Sequence, residues 1–266
     1  MIQAALNGNR TRTENPAIPV TAAELAESAR EAVAAGAGSI HFHVRDANGR
    51  ESLAPSDVAA CLHAMRRAIP RTPIGISTAE WIVPDSIERQ RIVSEWTVLP
   101  DFVSVNFNEI GGECLARSFI ERGVGVEAGI GMVRTMQLFM GSKIGPKCLR
   151  VLFEPEGQQI ECALKVVGYL DAFLDRAALK IPRLTHGYLQ TVWPFVDAAA
   201  ALGHDCRVGF EDTLTMPDGT PAPSNAALVA EAVRRTAALH ARIEASAVNS
   251  HATGLGAASR VQPNSP

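Results

Sequence analysis

The chain has few of the features that mark secreted, membrane or nucleic-acid-binding proteins. Its 266 residues include five cysteines, an odd number with no CxxC pair, and the formal net charge is −3. No apolar run reaches the roughly 20 residues that span a bilayer, and the amino terminus lacks a basic segment followed by an apolar one. We therefore expect a cytoplasmic protein with reduced thiols, and we expect neither a nucleic acid nor a membrane as partner.

The chain does have a large apolar share, 47% of its residues, and this share is arranged in a repeating order. Short runs rich in β-branched residues alternate with longer alanine-rich segments of helical periodicity. The short runs are Gln3–Gly8, Ser39–Val44, Pro73–Thr78, Phe102–Asn108, Val124–Ile130, Cys148–Glu154, Pro182–Gly187 and Arg207–Thr213. Units of about thirty residues, each a strand followed by a helix, predict a closed (β/α)8 TIM barrel with a parallel eight-stranded sheet.

An open doubly wound sheet shows the same alternation, so length and the number of units decide between the two folds. A single α/β barrel uses roughly 250 residues, and no GxGxxG follows the first predicted strand. We therefore expect a single catalytic barrel domain over residues 1–246. Residues 247–266, rich in Ser, Asn, Gly and Pro, are expected to form a loosely held tail.

Two histidines, His41 and His43, lie at the end of the second predicted strand. Residues two apart on a strand point the same way, so both imidazoles are expected to face the barrel interior. An HxH sequence alone is weak evidence for a metal, but barrel chemistry collects at strand ends. Glu211 in the last predicted strand would complete a His2Glu set for Zn²⁺ with an open fourth position, as catalytic zinc requires.

The last predicted strand also carries Arg207 and Asp212. They are too far out of phase to share one face of a straight strand, so only a bend at Gly209 or the end of the strand would let them meet. If they meet, the guanidinium keeps Asp212 ionised, as a carboxylate base requires. The alternatives are an ordinary salt bridge or two solvated strand-end residues. Ser77 and Ser104, at other strand ends, are open to two interpretations: contact with a substrate, or with backbone.

Several segments resemble the β-keto acid cleavage enzyme family. They are Ala5–Gly8, Asn15–Thr21, His41–Asp46 and Arg207–Asp212. The HxHxRD and RVGxED motifs in one chain and in this order are far more specific than either motif alone. The resemblance extends from the first strand to about Leu239, with a shorter and poorly matching middle from Gly111 to Leu184. It implies a zinc-dependent (β/α)8 barrel enzyme, an acyltransferase that condenses a β-keto acid with acetyl-CoA to give acetoacetate and a shorter acyl-CoA.

The resemblance also implies roles for individual residues. His41, His43 and Glu211 match the metal ligands of the family. Asp212 matches the base, and Arg207 matches its orienting partner. Ser77 and Ser104 match two positions whose hydroxyls contact the substrate. Members of the family are commonly tetramers, so the resemblance implies a homotetramer as well.

One departure from the family bears on specificity. The member from lysine fermentation carries a glutamate that binds the substrate's amino group, whereas this chain has Arg10 there, with Arg12 as a competing assignment. A cation at this position would repel an ammonium group and favour an anion. We therefore expect a β-keto acid with a distal carboxylate or hydroxyl, bound in part by Arg10.

Other classes of function stay open at this stage. A zinc-dependent barrel hydrolase acting on an amide, ester or lactone would use the same three ligands but would not need acetyl-CoA. A metal-dependent aldolase or isomerase is a further possibility. A small-molecule binder on a barrel scaffold would need the pocket but no base, so Asp212 favours an enzyme.

Overall fold

In the computed structural model, which describes residues 1–157 and 159–255 and the side chains as far as residue 245, eight parallel strands close into a barrel. The strands are β1 (Ile2–Ala5), β2 (Ser39–Phe42), β3 (Ile74–Ser77), β4 (Phe102–Asn106), β5 (Gly125–Ile130), β6 (Arg150–Phe153), β7 (Arg183–Thr185) and β8 (Asp205–Val208). Each strand pairs with the next in sequence, and β8 pairs with β1. The predicted TIM barrel is confirmed.

A helix follows each strand and covers the outside of the barrel. These helices are α1 (Ala22–Ala34), α2 (Pro55–Ala68), α3 (Ser86–Ser94), α4 (Gly112–Glu121), α5 (Val133–Ser142), α6 (Ile160–Arg176), α7 (Val192–Leu202) and α8 (Asn225–Leu255). Apolar side chains such as Ile40 and Phe42 on β2 and Leu62 on α2 are fully buried between the two layers. Among the described residues, no helix combines the length and apolar character that a membrane span needs.

The end of β8 differs from the prediction. The sequence run Arg207–Thr213 suggested a strand, but β8 ends at Val208 and a tight turn follows. In this turn the backbone N–H of Asp212 donates to the carbonyl of Gly209 at 2.9 Å. A Cβ on Gly209 would lie 1.9 Å from the carbonyl oxygen of Ala5 on β1, so only glycine fits where the chain leaves the barrel wall.

The boundary of the predicted tail falls within a helix. The last helix, α8, continues to Leu255, so residues 247–255 of the predicted tail are helical. Residues 256–266 lie outside the described part of the chain. The domain boundary at residue 246 therefore stays a prediction.

A buried ionic network fills the barrel interior near the amino-terminal ends of the strands. Glu127 accepts hydrogen bonds from Gln3 Nε2 at 2.7 Å and from Arg150 Nε at 2.6 Å. Arg150 also faces Asp205, which pairs with the amino group of Met1 at 2.7 Å. Burial raises the pKa of Glu127 despite the neighbouring guanidinium. The network therefore fills the barrel interior at the end opposite to the pocket lined by Glu154 and Glu211.

Replacing Glu127 with Ala tests the network. The change removes the closest partner of Arg150 and leaves a buried guanidinium, so we expect the free energy of unfolding to fall by about 3–5 kcal/mol. Urea denaturation measures this loss. Glu121→Ala, at an exposed position in α4, is the control and should change stability by less than about 0.5 kcal/mol. Equal stability of the two variants would contradict the assignment.

Candidate metal centre and active site

A pocket opens at the carboxyl-terminal ends of the strands, where a barrel carries its chemistry. It is a cavity of about 390 Å³. Its lining includes polar side chains from the ends of four strands and an indole from the β3–α3 loop, namely Asn106, Glu154, His186, Arg207, Glu211 and Trp81. Several ionisable groups therefore converge on one concave surface.

His41, His43 and Glu211 meet at this pocket. Nε2 of His41 lies 3.5 Å from Oε2 of Glu211. Nε2 of His43 lies 3.5 Å from Oε1 of the same carboxylate. The possible ligand atoms all lie within 4.8 Å of one another. Tetrahedral Zn²⁺ with bonds of about 2.0–2.1 Å separates its ligand atoms by about 3.3 Å. The spacing therefore suits one small divalent ion.

The chemistry of this donor set also fits a metal. Burial lowers the pKa of His41 to about 3, so its imidazole is neutral, as a ligand must be. Oxygen Oε2 of Glu211 is buried and, within the described residues, has no hydrogen-bond partner. A buried carboxylate oxygen without a partner is costly unless an ion satisfies it. The role of the three residues as ligands remains a prediction from the sequence, which this geometry supports.

His43 is held by residues that the sequence analysis missed. Its Nδ1 is hydrogen-bonded to Glu51, and the indole of Trp81 stacks on its ring with centroids 6.1 Å apart. Trp81 Nε1 also donates to Glu51 at 3.1 Å. Asn7 fixes the backbone of His43 on both sides, with contacts of 2.9 Å to its N–H and to its carbonyl. A carboxylate behind a histidine ligand sets its orientation and basicity.

One signal in the sequence could have located Glu51. The segment Asp46–Gly49, directly after the HxHxR motif, has the composition of a tight turn. In the structure Gly49 has a φ of 76°, and the chain returns so that Arg45 and Glu51 form an antiparallel bridge. Trp81 has no comparable local signal because it comes from the loop after β3.

The pKa of His43 differs from that of His41. Burial alone would lower the pKa of His43, but the carboxylates of Glu211 and Glu51 outweigh burial and raise it to about 9. The pKa of Glu211 is held well below its usual range, because Arg207 and the two histidines outweigh burial. Without a metal ion, the cluster is therefore an ion pair between His43 and Glu211.

Arg207 and Asp212 do meet, because β8 ends in the turn at Gly209. Arg207 Nη2 donates to Asp212 Oδ1 at 2.6 Å and to Glu211 Oε1 at 3.0 Å. Burial would lower the pKa of Arg207, but Asp212 and Glu211 outweigh burial and raise it, so the guanidinium stays charged. Oxygen Oδ2 of Asp212 is buried and has no hydrogen-bond partner in the described part of the chain. Oxygen Oδ1 of Asp212 is thus held by Arg207, and Oδ2 can accept a further hydrogen bond or a proton.

His186, which follows β7, lines the pocket, as its place at the end of a predicted strand allowed, although the sequence assigned it no chemical role. Its Nδ1 lies 3.4 Å from Asp212 Oδ1, and its Nε2 lies 3.5 Å from Glu154 Oε2. Burial and the nearby Arg207 lower the pKa of His186, but the two carboxylates outweigh them and raise it to about 9. The only signal in the sequence was its place at the end of a predicted strand.

The two predicted serines are neighbours across β3 and β4. Ser77 and Ser104 are register partners, and each is in phase with inward-facing residues of its strand. Ser77 is buried, and its hydroxyl accepts a hydrogen bond from the N–H of Ala79 at 3.4 Å. Their contact with a substrate remains a prediction.

The structure separates the two alternatives for the cation near β1. Arg10 is buried and donates through Nε to the carbonyl of Glu211 at 3.1 Å, with its guanidinium 5.4 Å from the centre of the Tyr188 ring. Its Nη2 has no hydrogen-bond partner among the described residues. Arg12 is exposed and pairs with Glu24 at the start of α1. Arg10 is therefore the cation beside the pocket.

Fold and site together define the class of protein: a (β/α)8 barrel with a cluster suited to a divalent ion, and a buried carboxylate beside it, at the catalytic end. Comparison with known proteins then places the chain within that class. The sequence profile of the β-keto acid cleavage enzymes matches residues 1–144 and 159–250, and the chain belongs to this enzyme family.

Curated relatives agree with this family. A 3-keto-5-aminohexanoate cleavage enzyme of Fusobacterium nucleatum is 28% identical over 249 residues, covering 88% of this chain and 90% of that protein. The enzyme of the same name from Acetoanaerobium sticklandii is 25% identical, with the same shares covered. A 3-oxoadipate:acetyl-CoA acetyltransferase of Cupriavidus necator is 35% identical over 79 residues, which are 29% of this chain and 28% of that protein.

Solved structures show the same fold at low identity. ObcA bound to oxaloacetate has a TM-score of 0.64 and 16% identity, and the match covers 81% of this chain but only 62% of ObcA. A type I 3-dehydroquinate dehydratase from Clostridium difficile has a TM-score of 0.60 and 12% identity, covering 90% of this chain and 92% of that chain. At such identities these likenesses show the barrel alone.

The raised pKa of His43 predicts proton-coupled metal binding. Below about pH 9 the ion must displace a proton from His43, whereas His41 and Glu211 have none to lose. The apparent association constant for Zn²⁺ should therefore rise about tenfold per pH unit towards pH 9 and level off above it. Titration calorimetry at pH 7 in buffers of different ionisation enthalpy should show about one proton released. Binding without proton release would contradict this description.

Proposed function

We propose that this protein is a zinc-dependent β-keto acid cleavage enzyme. It would condense a β-keto acid with acetyl-CoA and release acetoacetate and a shorter acyl-CoA. The observation that carries the proposal is the convergence of His41, His43 and Glu211 next to the buried pair Arg207–Asp212. The family supports the general reaction, and the acetyltransferase name of one relative supports acetyl-CoA as the second substrate.

His41, His43 and Glu211 would hold the ion through two imidazole nitrogens and a carboxylate. When bound, Zn²⁺ supplies a Lewis acid that binds substrate oxygens and lowers the energy of negative charge on them. Glu51 and Trp81 fix the ring of His43 from behind. Arg207 keeps Glu211 ionised and at the same time orients Asp212.

The atoms of the substrates and products show which proton the proposed base must remove. Acetoacetate keeps the carboxylate and C2 of the β-keto acid, so the C2–C3 bond breaks and a bond from C2 to the acetyl carbon forms. The acyl group at C3 leaves on the sulfur of coenzyme A. Before C2 can attack the thioester it must lose a proton, and we assign this proton to Asp212 Oδ2, a carboxylate oxygen without a hydrogen-bond partner among the described residues. The same carboxyl group returns the proton to C2 of acetoacetate at the end.

We propose a β-keto acid with an anionic distal end as substrate. Arg10 lies beside Glu211 and pairs with Glu14 through Nη1 at 3.0 Å, but its buried Nη2 has no hydrogen-bond partner among the described residues, which suits a second carboxylate. Ser77 and Ser104 would contact the substrate with their hydroxyls. The name of the Cupriavidus relative, with 3-oxoadipate as its acid, is consistent with a dicarboxylate. We further propose that the protein is cytoplasmic and, by analogy with the family, a homotetramer. Sedimentation velocity would measure the oligomeric state.

Replacing Asp212 with Asn tests the proposed base. The amide cannot accept the C2 proton, so we expect acetyl-CoA-dependent turnover to fall by about 10²–10⁴-fold. The exchange of C2 protons of β-ketoadipate with D2O, followed by NMR, should fall with it. Asp218→Asn, at an exposed position beyond the site, is the matched control. Wild-type cleavage of the keto acid that needs only water and no acetyl-CoA would support a zinc hydrolase and refute the proposal.

Replacing Arg10 with Gln tests whether this residue binds an anionic group at the distal end of the keto acid. Loss of a charge-assisted contact of about 1.5–3 kcal/mol should raise KM for β-ketoadipate by about 10–100-fold. KM for a neutral keto acid of equal length should change little, and Arg12→Gln is the matched control, because Arg12 lies outside the pocket. A clear preference of the wild type for 3-keto-5-aminohexanoate would overturn this assignment.

A further inference from the structure

The pocket has a second polar side that the proposed roles leave unused. His41 and Glu211 lie at the ends of β2 and β8, whereas Glu154 and His186 follow β6 and β7. Asp212 connects the two sides, since Arg207 links it to Glu211 and His186 faces it from the other direction. The base therefore stands between the metal cluster and His186.

His186 is buried in this wall, with 5% of its surface exposed, and both of its ring nitrogens are oriented by their surroundings. Nδ1 lies 3.2 Å from the carbonyl oxygen of Gly187 and 3.4 Å from Asp212 Oδ1, so Nδ1 carries a proton. Nε2 is buried and makes no hydrogen bond with any described residue, although Glu154 Oε2 lies 3.5 Å away. A buried polar atom that lacks a hydrogen-bond partner in a pocket wall is suited to bind a polar atom of a ligand.

The charges around His186 favour the doubly protonated ring. The charged groups that face the ring are Asp212, Glu154 and Arg207, two anions and one cation. In this surrounding the pKa of His186 is raised to about 9, since the carboxylates outweigh burial and Arg207. Nε2 then carries a proton at neutral pH and can donate it in a hydrogen bond.

We infer that His186 donates a hydrogen bond through Nε2 to the thioester group of the acetyl-CoA substrate. The inference rests on the proposed function. The keto acid occupies the side of the metal cluster and its C2 lies against Asp212, so the acetyl group that C2 attacks must come from the side of His186. Arg207, another buried cation in the pocket lining, already donates to Asp212 and Glu211, whereas Nε2 of His186 makes no hydrogen bond with any described residue.

The donor acts where charge develops in the transfer step. When C2 of the deprotonated keto acid bonds to the acetyl carbon, the carbonyl π electrons move to the oxygen and make it an anion. The Nε2–H of His186 stabilises this oxyanion by a charge-assisted hydrogen bond. The anion then collapses, the C–S bond breaks and the sulfur leaves as thiolate, which later attacks C3. His186 keeps its proton throughout, so the step needs no further reactant.

Two substitutions separate the functions of the two ring nitrogens. His186→Asn retains an N–H near the position of Nδ1 and loses Nε2, whereas His186→Gln places an N–H near Nε2. We expect turnover in His186→Asn to fall by about 10²–10³-fold, as on removal of one oxyanion donor, and His186→Gln to keep more than a tenth of the wild-type rate, about tenfold loss at most. Exchange of C2 protons with D2O should persist in both variants, and Zn²⁺ affinity, which reports the fold and the cluster, should equal that of the wild type.

The reverse order overturns the inference. If His186→Asn is active and His186→Gln loses C2 exchange together with turnover, His186 acts only by positioning Asp212. The wild type gives a test that needs no variant: turnover should fall as the pH rises through about 9 while C2 exchange does not, and parallel profiles would refute the donor role. A wild type that shows no acetyl-CoA-dependent turnover refutes the proposed function itself, and with it this inference.

Discussion

One guanidinium, that of Arg207, holds the site together. It donates to Glu211 at 3.0 Å and to Asp212 at 2.6 Å, so one buried cation pairs with both carboxylates. Placing two carboxylates this close together in the barrel interior is costly unless a cation lies between them. Because Glu211 faces the histidines and Asp212 is held by the same guanidinium, this contact sets the distance between the cluster and the proposed base. The chemistry on both sides therefore depends on Arg207.

Glycines make the close approach of these groups possible. Gly209 lets the chain turn immediately after β8 against the backbone of β1, which brings Asp212 round to Arg207. Gly8, with a φ of 55°, lies so close to Glu211 that a Cβ there would stand 2.5 Å from the Glu211 side chain. Larger residues at either position would displace a carboxylate, and displacements of about 1 Å are costly in a catalytic site. Two small residues thus define the wall behind the cluster.

The site divides into a part that local pattern predicted and a part that it missed. Strand alternation predicted that His41 and His43 face the same way. The RVGxED motif in the last predicted strand supplied Glu211 as the third member of the cluster. Glu51 was missed although a turn composition returns the chain to His43, and Trp81 and His186 came from loops after other strands. Such residues are joined to the site only by barrel closure, which aligns strand ends that are distant in sequence.

The sequence by itself determined the alternation of strands and helices, the parallel barrel and the residue types gathered at its strand ends. Periodicity and composition are local properties, so they can be read from the order of residues. Only the tertiary structure decided that β8 ends at Val208, that Arg10 rather than Arg12 lies beside the pocket, and that His186 faces Asp212. Those outcomes depend on distances between segments far apart in the chain, and such distances are set by packing and by buried charge compensation.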